Sequence, residues 1–212
     1  MLRRSYLDAI SVRPKALAKA RGIHYTPRMA LKYLFAGLLL PMVLLAQMPA
    51  NNTAMNSPAP TVPSNTGSNI PQAQAQAALD FNNAKRHDVG VAPLQWSTKL
   101  AAAAQNWASH LANDEGCKLI HTQNNSYGEN LFAGQGAPYT ALSAMQNWYG
   151  EIAKYHYGVL TDSNWYATGH YTQMIWQNTT EVGLGKATCS GGVTVIVAEY
   201  NPPGNYMGEK PY

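Results

Sequence analysis

Six histidines, eleven carboxylates and two cysteines are the groups with which this chain could hold a metal or move a proton. One histidine, His170, stands at the head of an aromatic, amide-rich segment, Gly169-His170-Tyr171-Thr172-Gln173-Met174-Ile175-Trp176. A second segment, Glu199-Tyr200-Asn201-Pro202-Pro203-Gly204-Asn205-Tyr206, is a rigid Pro-Pro-Gly turn that must hold a fixed shape. Imidazoles with carboxylates close by suit a cation of the Zn²⁺ type, or can polarise a water for hydrolysis. The same residue types equally form a solvated hydrogen-bond network, and their scatter along a sequence does not choose between the two. Other chemistries find little support: there is no His-Glu-x-x-His run, no Gly-x-Ser-x-Gly elbow and no phosphate-cradling glycine loop.

Helices come first among the elements that must position these groups. Leu100, Ala104, Trp107 and Leu111 recur at helical spacing after Ser97, which suits an N-cap. Leu142, Met145, Trp148 and Ile152 repeat the pattern, and residues 77–88 read as a helix that ends before Gly90. Residues 171–176, 182–188 and 193–200 are rich in β-branched and aromatic side chains, with breaks at Asn178 and Ser190-Gly191-Gly192, and read as strands. Helices followed by strands predict an α+β fold.

The ends of the chain explain its net charge of +4. Residues 1–32 hold eight of the fifteen bases and one of the eleven acids, so the remainder has seven bases against ten acids. The basic character therefore belongs to a leader and gives no reason to expect nucleic acid as a partner. Residues 33–46 are a short apolar run behind Lys32, interrupted by Pro41. That suits a signal peptide better than a membrane span, which needs about 20 apolar residues. Residues 1–50 are expected to be a basic leader and signal peptide, with Met29 as an alternative start. An uncleaved anchor is the competing reading, and membrane contact follows only if the leader is retained. Residues 51–76 are mostly Asn, Thr, Ser, Pro, Ala and Gln and are expected to be a disordered linker. One domain, residues 77–212, remains.

Together with Tyr127-Gly128-Glu129-Asn130-Leu131, the two late segments resemble the paired signatures of the CAP superfamily, the cysteine-rich secretory, antigen-5 and pathogenesis-related-1 proteins. The resemblance runs from about Ala77 to Tyr212, with the motifs in the family's order. It implies a three-layer α-β-α sandwich around a small antiparallel sheet. It also implies a cleft tetrad of His121, Glu129, Glu151 and His170, in which His121 and His170 would be direct ligands of Zn²⁺ or another divalent cation. The glutamates would bond through water or orient the rings. The remaining domain histidines, His87, His110 and His156, match no tetrad position.

An even cysteine count in an exported chain favours one bridge over two buried thiols. The resemblance makes the pair specific, matching Cys117 and Cys189 to one common family disulfide. A second common bridge would join the positions of Leu184 and Ala198, where both halves are absent. Tyr and Trp crowd residues 149–176, and rings of this kind suit lipid or sugar contact where exposed and core filling where not, the expected place of Trp176. The family's sterol-binding loop would fall at residues 155–166. The function expected is an extracellular or periplasmic, non-catalytic protein that binds a small apolar ligand (a sterol or fatty acid) or an external partner. The alternatives are a metal-assisted hydrolase or peptidase using the same tetrad, and a cell-surface interaction module.

Overall fold

The computed structural model describes residues 58–123 and 126–212. Helix α2, Thr98–Asn113, begins as its sequence predicts, with the Ser97 hydroxyl accepting from the Leu100 N–H. Its apolar stripe, Leu100, Ala104, Ala108 and Leu111, is buried. Helix α3, Ala141–Tyr149, opens on a reciprocal cap between Thr140 and Ser143 and passes into a 3-10 turn at Gly150–Lys154. Helix α1 spans Gln72–Asp88, starting earlier than expected directly after Pro71.

That early start corrects part of the expected linker. Residues 58–76 are packed against the domain: Val62 and Ile70 are buried, and Thr66 with them. The Gln76 carboxamide accepts from Val62 N–H and the Gln72 carboxamide donates to Val62 C=O, while Trp96 Nε1 donates to Thr66 C=O. Two apolar anchors and a set of side chains that satisfy the backbone are enough to fix a stretch whose composition reads as spacer. The leader and residues 51–57 lie outside the described residues.

Helix α4, Asp162–Met174, is the larger correction. The segment 171–176, expected as a strand, is the last turn of this helix and its exit. The first long strand of the sheet is instead β2, Gly128–Gln135, which follows the two-residue β1, Gln95–Trp96. Strands β3, Glu181–Thr188, and β4, Val193–Asn201, lie where the sequence predicts them. The sheet order is β1-β3-β4-β2, antiparallel except that β1 runs parallel to β3.

The sheet separates two helical layers, as the three-layer sandwich requires. Val195 and Val197 of β4 face α2, whereas Ile196, Ala198 and Tyr200 face the layer of α1, α3 and α4. Helix α2 lies on β3 at backbone contact: a Cβ on Gly183 would stand 2.1 Å from Ala101 N, and one on Gly185 2.2 Å from Gln105 N. Leu184 and Ala198 are opposite one another in the β3–β4 register, both buried, so apolar contact occupies the position of the absent second bridge.

Arg86 fixes the far end of α4. Fully buried, it donates from Nε to Ala92 C=O and from its terminal nitrogens to the carbonyls of Met174, Trp176 and Thr179. Of these, the Met174 carbonyl belongs to the end of α4, where the last carbonyls lack intrahelical partners. Burial pulls the guanidinium pKa down to about 10. On the other helical layer, the disulfide between Cys117 and Cys189, with Cα atoms 6.1 Å apart, ties the loop after α2 to the end of β3.

Candidate cation-binding cleft

Glu129 sits near the start of β2, the edge strand, with its side chain only 6% exposed. One carboxylate oxygen lies 2.5 Å from His121 Nδ1 and accepts from Thr122 N–H at 3.1 Å. The other accepts from the Thr122 hydroxyl at 2.6 Å. Burial pushes this carboxyl up, but the hydrogen bonds from His121 and Thr122 outweigh it and hold the group below its ordinary value. His121 itself lies on the loop that the disulfide anchors at Cys117.

Glu151 enters from the opposite layer, in the 3-10 turn after α3. Its Oε1 lies 2.7 Å from His170 Nδ1. Its Oε2 accepts from two backbone groups of α4, the N–H of His170 at 2.9 Å and of Tyr171 at 3.1 Å. Inside a helix this carboxylate does what an N-cap does at its start. On the same stretch Gly169 C=O accepts from the Asn205 carboxamide, and His170 C=O from that of Asn130. The Trp148 ring lies nearly parallel to the His170 imidazole, 6.2 Å between centroids, and its Nε1 donates to Leu131 C=O on β2.

Each imidazole thus turns Nδ1 to a carboxylate, which leaves Nε2 as the nitrogen available to a cation. This arrangement recurs around bound zinc, where the carboxylate fixes tautomer and ring orientation. His121 and His170 both line one cavity of about 170 Å³, with Trp165, Tyr166 and Asn205 on its walls. A second cavity, about 400 Å³, continues from His121 and Glu129 past Tyr127 and Gln173 to Pro203 and Met207. The donor chemistry fits a Zn²⁺-type ion held by two imidazoles. Among the described residues no group of three or more His, Cys, Asp or Glu side chains is arranged to hold a metal, so further ligands would come from water or a bound molecule.

The four tetrad residues therefore come together as two His–Glu pairs: His121, Glu129 and His170 line one cavity, and Glu151 stands behind it, bonded to His170. Among the described residues the other histidines do not join it: neither His87 nor His156 lines either cavity, and His110 pairs with Asp114 at 2.7 Å and stacks on Trp107. Trp176 is buried, as expected. Within the aromatic segment, Tyr155 and Tyr171 pack ring to ring at 5.0 Å, and burial raises both hydroxyls, Tyr155 to about 12. By contrast Tyr157, Trp165 and Tyr166 face solvent. Sequence reasoning missed Trp165, Asn130 and Asn205 as cleft residues. A signal existed for Trp165, which stands four residues before Gly169, on the same face of a helix.

Three layers around a mixed sheet, with a His/Glu cleft at the edge strand, define a CAP-type domain. The chain belongs to the cysteine-rich secretory protein family, CAP, whose model matches residues 79–200. It is 44% identical over 141 residues to pathogenesis-related protein 1A of Nicotiana tabacum, covering 66% of this chain and 82% of that protein. To pathogenesis-related protein 1 of Arabidopsis thaliana it is 40% identical, covering 66% and 84%. The crystal structure of Na-ASP-1 matches with a TM-score of 0.59 at 24% identity, covering 68% of this chain and 42% of that one. The crystal structure of NaASP2 with Zn²⁺ gives 0.56 at 23%, covering 73% and 88%. At such identities the likeness concerns the fold.

Proposed function

We propose that this chain is an exported binding protein whose His/Glu cleft takes a divalent cation such as Zn²⁺ through Nε2 of His121 and His170. It holds a small apolar ligand or an external partner at the same mouth. The observation that supports this is the pair of imidazoles, each with Nδ1 held by its own carboxylate, on the wall of a single cavity. Export is supported by the apolar run behind the basic leader and by the disulfide, which persists in an oxidising compartment.

Binding is favoured over hydrolysis by the state of the two glutamates. Every carboxylate oxygen of Glu129 and Glu151 already accepts a hydrogen bond from the chain. Glu129, its carboxyl held below the ordinary value, is a weak base for an attacking water, and Glu151 lines neither cavity. A bound cation would supply a Lewis acid to which a ligand oxygen can bond. The residues' own part is to orient the two rings and to form the walls.

Calorimetric titration of the metal-free protein with zinc tests the reading. Replacing His121 or His170 by Ala is expected to weaken binding by at least about tenfold, with the fold intact by circular dichroism. Unchanged affinity in the double variant overturns the site.

A further inference from the structure

The two cavities share His121, Glu129, Trp165 and Asn205, so they are lobes of one groove, and Trp165 stands at their junction. We propose that the external partner of this cleft is a neutral oligosaccharide that stacks on Trp165 and Tyr166. The inference rests on the same cleft as the proposed function but does not require the cation.

Three observations converge on that ligand class. The first is the platform. Trp165 is 40% exposed and Tyr166 88%, adjacent on the first turns of α4. The indole is not loose: it lies over the bare backbone of Gly169, where an added Cβ would stand 2.9 Å from Trp165 Nε1. An aromatic ring held in a fixed position and left facing water is a surface for a flat apolar face with a polar edge. A sugar ring has both: a face of C–H groups and a periphery of hydroxyls that stays hydrated.

The second observation is charge. Among the described residues no Lys or Arg lines either lobe, and the carboxylate that does, Glu129, is held by His121 and Thr122. With the cation removed, a phosphorylated or sulfated polymer would find no Lys or Arg of these walls to pair with. The third is enclosure. A sterol or fatty acid gains affinity by removing most of its surface from water. Tyr166, at 88% exposure, and the half-exposed Met207 leave this groove open, which suits a hydrated ligand better than an apolar one.

A peptide is the competing polymer, and the natural route for it is strand addition to the edge of β2. That edge is engaged at Leu131, whose carbonyl accepts from Trp148 Nε1. The larger lobe, about 400 Å³, falls in the range of sites for ligands the size of a disaccharide or larger.

The test is calorimetric titration of the full chain with three neutral hexasaccharides, hexa-N-acetylchitohexaose, cellohexaose and laminarihexaose, each with zinc and with EDTA. At least one is expected to bind in both conditions. Trp165→Ala should weaken it by about tenfold and Tyr166→Ala by about threefold, the range of a single aromatic contact. Gly169→Ala, which displaces the indole without removing it, should also weaken binding. Tyr166→Ala cannot fail for want of folding, since the ring is almost wholly exposed. No binding of any hexasaccharide at millimolar concentration overturns the proposal. So does affinity unchanged in both aromatic variants, or binding only of an extended peptide or of cholesterol-containing vesicles. Sugar binding without zinc binding would defeat the cation reading alone, and zinc binding without sugar would defeat this one alone.

Discussion

The two His–Glu pairs have similar contacts, 2.5 Å for His121–Glu129 and 2.7 Å for His170–Glu151, but they are held by different means. The His170 pair is built into regular structure. Its glutamate accepts two backbone N–H groups of α4, and the far end of that helix is capped by buried Arg86. The His121 pair joins an exposed ring on a loop to a buried carboxylate on an edge strand, and the loop's covalent anchor is the bridge at Cys117. One half of the cleft is fixed by folding itself, and the other by a crosslink and by side-chain hydrogen bonds. The two halves should therefore fail under different treatments.

The bridge gives the largest expected effect. It closes a loop of 72 residues, and chain-entropy arguments put the stabilisation at about 4 kcal/mol. Denaturant unfolding of oxidised and reduced protein should differ by that order. In the reduced but still folded protein, NMR should show the His121 ring signals shifting while those of His170 stay. Equal perturbation of both rings would mean that the halves are not independent.

Glu151→Ala attacks the other half. It leaves the N–H groups of His170 and Tyr171 without their acceptor, at a cost of about 2 kcal/mol. Glu151→Gln keeps a carbonyl oxygen and should recover much of that loss in urea unfolding. If Ala and Gln variants are equally stable, the backbone hydrogen bonds are not what the carboxylate contributes.

The same difference decided what could be read from the sequence. Caps and apolar stripes marked α2 and α3, and β-branched runs marked β3 and β4, because those elements are stabilised locally. Residues 171–176, the end of α4 and its exit, read as a strand because Tyr-Thr-Gln-Met-Ile-Trp favours extended backbone. The helix persists there through distant partners, the Glu151 carboxylate, Asn205 and Arg86, which no local window contains. Strand β2 was missed for the converse reason: Gly128-Glu129-Asn130 is poor in strand formers, and its pairing with β4 supplies the conformation. The tetrad positions came from motif resemblance, whereas their division into two pairs needed coordinates. Residues 58–76 read as spacer because composition does not show that two anchors, Val62 and Ile70, find a core.

The smallest expected effect sharpens the comparison through pH. Glu129 is buried, yet its carboxyl is held below the ordinary value by His121 and Thr122. Folding therefore favours its charged form. The resulting stability is fully present above the unfolded-state value, about 4.3, and is lost as pH falls through the lower folded-state value. Glu199 stands opposite Glu129 in the β2–β4 register, so the acid limb should be compared against a variant and not read from the wild type alone. In metal-free protein, Glu129→Gln should be less stable than wild type at neutral pH, and the gap should narrow on acidification below about pH 4. A gap that stayed constant down to pH 3 would show that the ionised carboxylate contributes nothing beyond its shape. The His121 half would then rest on the disulfide and on the hydrogen bond from Trp107 Nε1 to Ile120 C=O.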